Sequence, residues 1–234
     1  MASLNEAQRV IAVLGMHRSG TSCLTGSLQK AGLELGNCHT WNPYNQKGNR
    51  ENQAFVDLND EILAANKGAW NIPPKKVEWS AEQLAKGQEL LTEHEQIPVL
   101  GFKDPRTLLV LDGWKKIIKT MEFVGIFRSP IAVAKSLAHR NNMPNNHAYE
   151  LWYRYNKALY KEYKRHPFPV LCFDLPEAQF NEKVDRVVKE LALNAIPDTD
   201  RFYEAELNNH ANSEPAKLPW KVQRLYRKLQ AISY

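Results

Sequence analysis

Residues 10–22 read VIAVLGMHRSGTS, and from Ser22 the chain runs straight into CLTGSLQKAG. The opening VIAVL is continuous in apolar character and short, which suits a strand buried on both faces inside a parallel sheet. Gly15 and Gly20 then let the backbone turn tightly before a helical pattern begins. A strand, a glycine turn and a helix start together point the free N–H groups of a first helical turn, and the positive end of its dipole, at an anion. Ser19, Thr21 and Ser22 add hydroxyl donors, His17 a ring nitrogen, and Arg18 a cation at the apex. Against the pattern G-x-x-x-x-G-K-[ST] both glycines fit, and Thr21 stands where the lysine belongs. Without the lysine that reaches the β- and γ-phosphates, magnesium-assisted phosphoryl transfer loses ground, and Arg18 supplies the missing charge. A turn merely capped by Thr21 or Ser22 is the plainer alternative. The buried strand, the arginine and three hydroxyls together favour an anion site.

Working outward, three further apolar runs read as strands: residues 97–102 (IPVLGF), 123–127 (FVGIF) and 170–173 (VLCF). Between and after them lie helical patterns over 22–31, 52–65, 81–94, 131–139, 148–165 and 177–191. Strand followed by helix, repeated, predicts an α/β fold whose central, mostly parallel sheet is flanked by helices. Residues 37–50 (NCHTWNPYNQKGNR) are rich in Asn, Gly and Pro and predict an ordered loop, a length at which loops often carry function. Residues 208–219 separate the body from a basic helix over 220–232, whose Leu225, Leu229 and Ile232 share one face and predict packing on the sheet.

Composition fits a single folded domain over residues 1–234, with its core in 9–193. Among 234 residues, 43% are hydrophobic and 24% charged, too apolar for a disordered chain. Lys and Arg number 31 against 26 Asp and Glu, a net +5 that suits an anionic ligand but is too thin for a nucleic-acid coat. Cys23, Cys38 and Cys172 are widely spaced and odd in number, which predicts no disulfide framework or zinc site and a reducing compartment. The start MASLNEAQRV carries an acid and no long apolar run, and no stretch of 18 uncharged apolar residues occurs, so a cytoplasmic protein is expected.

A second anion segment follows the run at 123–127, reading FRSPIAVAKSLAHRN from Phe127 to Asn141. Arg128 sits at the carboxyl end of the expected strand, Pro130 suits a first helical turn, and Ser136 and Arg140, four apart, share a helix face. A guanidinium forks onto two phosphate oxygens while a hydroxyl donates to a third. Arg140 taken alone fits a solvated helix residue equally well. Ligands of open α/β sheets gather at the carboxyl ends of strands, where both segments fall.

The two segments together resemble the sulfotransferases that use 3′-phosphoadenosine 5′-phosphosulfate (PAPS), in particular the bacterial, carbohydrate and tyrosylprotein branch. GMHRSGTS is similar to that family's 5′-phosphosulfate loop. RSPIAVAKS, with its arginine-to-serine spacing of eight, is similar to the 3′-phosphate element. GFKDPRTLLVLDGW, starting at Gly101, resembles a third segment, and KGNREN, ending at Asn52, resembles the one that carries the base. The resemblance spans about 11–140. It implies a three-layer P-loop-NTPase-like fold, PAPS as donor, the bisphosphate PAP as product, no metal and a hydroxyl acceptor, with a carbohydrate or glycoconjugate preferred. The arginine–lysine–glycine motif and the histidine segment of the cytosolic small-molecule enzymes are absent.

Moving a sulfuryl group needs an aligned acceptor, a base, and cations for the charge growing on the leaving oxygen. The resemblance makes Glu51 the base, ahead of His39, His17 and Glu34; without it, Glu51 reads as an acid in a first helical turn. Arg18 is assigned to the bridging and sulfuryl oxygens, and Lys103 to the transition state, or else to an ion pair with Asp104 or Asp112. His17, Arg18, Ser19, Gly20, Thr21, Ser22, Arg128, Ser136 and Arg140 are the expected donor contacts. Trp41, Tyr44, Trp70 and Trp79 are candidates for an acceptor wall. The aromatic and basic run Trp152–Arg165 reads as an amphipathic helix rather than a nucleic-acid surface. A P-loop kinase using ATP and a nucleotide-binding module without catalysis are the rival readings.

Overall fold

The computed structural model describes residues 8–41, 48–203 and 217–234. Its strands β1 (Arg9–Leu14), β2 (Val99–Phe102), β3 (Met121–Phe127) and β4 (Val170–Cys172) form one sheet in the order β2-β1-β3-β4, every pair parallel. Alternate residues of β1 point to opposite faces, as a strand requires. Val10, Ala12 and Leu14 join one core, Ile11 and Val13 the other. On the second face lie α1 (Thr21–Lys30) and α7 (Glu177–Glu190), through Leu24, Leu28, Phe180, Val184 and Val187. The first face is covered by α2 (Gln53–Ala65), α3 (Ala81–Thr92), α4 (Thr107–Ile117), α5 (Pro130–Asn141), α6 (Asn145–Arg165) and α8 (Trp220–Ile232). Three layers result, with all four strand C-termini at one edge. Among the described residues no helix is long and apolar enough to cross a membrane.

Several boundaries move from their expected places for local reasons. Ile97 belongs to the turn after α3, its N–H bonded to the His94 carbonyl, so β2 begins only at Val99. Asn52 caps α2 from outside, its side chain accepting the Ala54 N–H, and α3 starts with a reciprocal capping box between Ser80 and Gln83. Helix α6 starts three residues earlier than the apolar pattern, behind Pro144.

Helix α4 was not expected at all. It has no capping side chain, and glycine and β-branched residues dilute its pattern. Tertiary packing forms it: Leu108, Val110, Leu111 and Trp114 are buried, and a Cβ at Gly113 would lie 2.1 Å from the Trp79 ring. Trp79 therefore belongs to this core, edge-on to Trp114 and donating to the Val110 carbonyl, and does not stand in an acceptor wall. The C-terminal helix buries Val222, Leu225 and Leu229; Ile232 is only partly covered. It lies along α6 rather than flat on the sheet, touching β3 through Tyr226 edge-on to Phe127.

Trp114 connects this core to the site, since its Nε1 donates to Asn59 Oδ1 at 3.0 Å while Asn59 Nδ2 donates to Asp104 at 2.8 Å. Trp114→Ala is expected to destabilise the fold by about 3–5 kcal/mol, a large-to-small cavity cost, read as a lowered midpoint in urea unfolding.

Candidate active site

The loop between β1 and α1 is shaped by close backbone approach. A Cβ on Gly15 would lie 2.6 Å from the Ile126 carbonyl oxygen, and one on Gly20, whose φ is +85°, would lie 2.3 Å from the Phe173 ring. Both positions exclude a side chain. Arg18 at the apex also has a left-handed φ of +66°. Gly20 is the N-cap of α1, and no side chain caps the helix. Capping by Thr21 or Ser22, the plainer reading of the hydroxyls, is therefore not what they do. Thr21 is buried, while Ser22 Oγ donates to the Asn49 carbonyl at 3.1 Å. Ser19 Oγ is buried with no hydrogen-bond partner.

Lys103, the residue after β2, reaches the start of α1. Its Nζ donates to Glu51 Oε1 at 2.7 Å, to the Asn49 carbonyl at 2.8 Å and to Ser22 Oγ at 3.3 Å. Its side chain is 3% exposed and that of Glu51 13%. The alternative ion pair of Lys103 with Asp104 or Asp112 does not form. Asp104 instead accepts from Arg106 at 2.8 Å, and Asp112 lies 3.5 Å from Arg165. Glu51 is not in a first helical turn either, because it precedes the cap of α2. His39 N–H donates to its carbonyl at 2.9 Å, which pins the end of the loop. The side chains of His39 and Glu34 are exposed.

Arg128, the residue after β3, is buried, over the face of Phe173 at 5.1 Å and 3.5 Å from Asp174. Asp174 also accepts the Ser129 N–H at 2.5 Å, tying the turn after β4 to the start of α5. Ser136, expected beside Arg128, accepts a 2.7 Å hydrogen bond from Arg18 Nε, so the two anion segments are joined side chain to side chain. Arg140 lies at the exposed end of α5.

The charges act on one another. Burial lowers the proton affinity of Arg18, and Arg140 and Arg128 lower it further; burial also lowers that of Arg128, against the opposing pull of Asp174. Burial, then Arg106, Lys103, Arg140 and Arg18, hold His17 well below the ordinary histidine range. Its ring lies 4.7 Å from Trp70 and 5.9 Å from Tyr155, and its Nε2 is buried without a hydrogen-bond partner. The carboxylates of Asp104 and Asp60 raise the proton affinity of Arg106 although burial opposes them. Cations thus converge on this edge of the sheet, Arg106, Lys103 and Arg128 with carboxylate partners and Arg18 with a hydroxyl. Among the described residues, no three His, Cys, Asp or Glu side chains gather to hold a metal ion.

Trp70 therefore stands at the site and Trp41 is exposed, while Tyr44 and Lys47 lie outside the described residues. Sequence reasoning missed Asn49, Asp174 and Phe173. Asn49 acts through its carbonyl, which no residue type announces; Asp174 was legible only as an acid after the fourth apolar run.

No family model and no curated protein matches the chain. Solved structures match its fold. The sulfotransferase domain from the curacin biosynthetic pathway superposes with a TM-score of 0.54 at 12% identity, over 95% of this chain and 98% of that one. The sulfotransferase domain from the Synechococcus PCC 7002 olefin synthase does so at 0.53 and 15% identity, over 98% and 97%. The architecture is thus the P-loop-like α/β fold of sulfotransferase domains.

The state of His17 sets a pH dependence. Its folded pKa is depressed, so below about 6.5 the unfolded chain binds more protons and stability falls as pH drops. His17→Gln is expected to flatten the loss of stability between about pH 6.5 and 5, measured by urea unfolding across that range.

Proposed function

We propose that the chain transfers a sulfuryl group from PAPS to a hydroxyl of an acceptor, without a metal, leaving PAP. One observation carries the reading: the buried Lys103 ammonium joins the phosphate-type loop at Ser22 to the Glu51 carboxylate, beside a helix start with no side-chain cap. The fold likeness to sulfotransferase domains supports it.

The residues suit such a donor. Ser19 Oγ is buried without a partner, and the mutual repulsion felt by Arg18 from Arg140 and Arg128 is relieved by an anion. The loop from His17 to Ser22 would hold the phosphosulfate end, and Arg128, Ser136 and Arg140 the 3′-phosphate. When bound, the donor supplies an activated sulfuryl group on a phosphate leaving group. Glu51 takes the proton of the acceptor hydroxyl as the new O–S bond forms and the bond to the phosphate oxygen breaks. Lys103 and Arg18 balance the charge developing on that oxygen. A carbohydrate or glycoconjugate is the acceptor class to test first, with Trp70 offering a planar face beside His17.

Calorimetry tests the donor. PAP is expected to bind equally with and without chelator while ATP shows almost no affinity; magnesium-dependent ATP binding would establish a kinase instead. Arg128→Ala should weaken PAP binding by about 1.5–3 kcal/mol, and unaltered affinity removes Arg128 from the 3′-phosphate. With labelled PAPS and a panel of saccharides and phenols, Lys103→Ala should lower the rate more than donor affinity, and Glu51→Gln should cut turnover while sparing affinity. A protein that binds PAP but sulfates nothing on the panel, whether or not Glu51 is changed, would be a binding module.

A further inference from the structure

Two residues outside the proposed chemistry fix the backbone next to Glu51. His94, at the turn after α3, has Nδ1 2.8 Å from the Leu90 carbonyl oxygen and Nε2 3.2 Å from Asn52 Nδ2. Asn52 settles which ring nitrogen carries the proton. Its Oδ1 is committed to the Ala54 N–H at 3.1 Å as the cap of α2, so its amino group is what faces the histidine. An amide NH2 only donates, so Nε2 must present its lone pair, and the proton sits on Nδ1, where the Leu90 carbonyl accepts it. A doubly protonated ring would set N–H against N–H.

The ring is held on other sides as well. Phe55 meets it edge-on at 5.7 Å. A Cβ on Gly36, whose φ is +62°, would fall 2.5 Å from Nε2, so only glycine leaves room for the ring there. Gln8 Nε2 donates to the His94 carbonyl at 2.6 Å, fixing its backbone. Asn52 is buried, and its Nδ2 lies 3.5 Å from the Leu35 carbonyl oxygen as a second acceptor. Glu51 is the next residue along the chain, and its carboxylate must leave that backbone at one angle to meet Lys103 at 2.7 Å.

We propose that His94 is a positioning residue for the Glu51–Lys103 pair: by accepting the Asn52 amide on Nε2 it fixes the backbone from which Glu51 reaches the ammonium. Its bearing on catalysis rests on Glu51 acting as the base described above. The structural part does not.

Nuclear magnetic resonance on the full chain separates the two. The ¹⁵N shifts of His94 should report a proton on Nδ1. The Glu51 side-chain carboxyl ¹³C signal, assigned by its loss in Glu51→Gln, should move in His94→Phe, which keeps a ring but has no acceptor. His94→Gln, whose carbonyl can accept from Asn52, should restore it, and PAP affinity by calorimetry should stay within about twofold in both. Sulfuryl transfer to an acceptor from the panel should fall roughly tenfold or more in the phenylalanine variant, a misplacement effect. If that variant does not fold, Asn52→Ser, which keeps a capping oxygen for the start of α2 and has no amino group to offer His94, makes the same comparison. A proton on Nε2, or a Glu51 signal unmoved by these changes, overturns the proposal. A Glu51 signal that moves as expected, beside full turnover in Glu51→Gln, upholds the positioning and removes Glu51 as base.

Discussion

The ammonium of Lys103, at 3% exposure, has exchanged water for one carboxylate, one carbonyl and one hydroxyl. Burying a lysine is costly unless its charge is paired and its protons are accepted, and here the acceptors come from two other parts of the chain. Ser22 belongs to the first turn of α1, and Asn49 and Glu51 to the end of the loop before α2. The lysine thus fastens the end of that loop to the start of α1 and the end of β2, where the pairing of β1 with β2 has already brought the latter two together. Removing either charge would strand the other, a loss of about 3 to 5 kcal/mol for buried pairs. Replacing the pair with apolar residues could leave stability intact and still abolish the juxtaposition. What the interaction secures is geometry.

Around it the carboxyl edge of the sheet is an arrangement of cations with unequal partners. Arg106 has Asp60 and Asp104, Lys103 has Glu51, and Arg128 has Asp174. Arg18 differs: its hydrogen bond goes to the Ser136 hydroxyl, and among the described residues no carboxylate lies within 4 Å of it. Two neighbouring arginines press on it and its backbone is left-handed, a conformation that costs a non-glycine residue of order 1 kcal/mol or more. The surrounding fold sustains that cost, since Gly15 and Gly20 on either side are locked against Ile126 and Phe173.

How much of this was legible in the sequence follows from the range of each interaction. The strands were readable because VIAVL and FVGIF are buried on both faces and so are apolar at every position. The loop was readable because glycines, hydroxyls and an arginine sit together within eight residues. Helix α4 was not, because what forms it is Trp114 meeting Trp79 and Phe55 across the fold, and no local cap marks its start. Glu51 and Lys103 were each singled out, yet their pairing, 52 positions apart, has no signature in composition or period. The bond from Arg18 to Ser136 is hidden in the same way. Candidate residues were therefore visible one at a time, Asn49, Asp174 and Phe173 excepted, and the contacts between them were not.

The exchange of lysine for Thr21 follows from the same packing. Thr21 is buried, and its Cγ2 lies 2.6 Å from where a Cβ on Gly15 would stand, so its side chain fills the inside of the turn instead of extending from it. Charge is supplied from three separate elements: Arg18 at the loop apex, Lys103 after β2 and Arg128 after β3. A lysine in the usual place concentrates positive charge on one run of adjacent phosphates. Cations distributed along the edge of a sheet suit a ligand whose anionic groups are separated, with one at the loop and another near the third strand. That distribution, more than the glycine pattern, is what the proposed donor, a nucleotide charged at both ends, rests on.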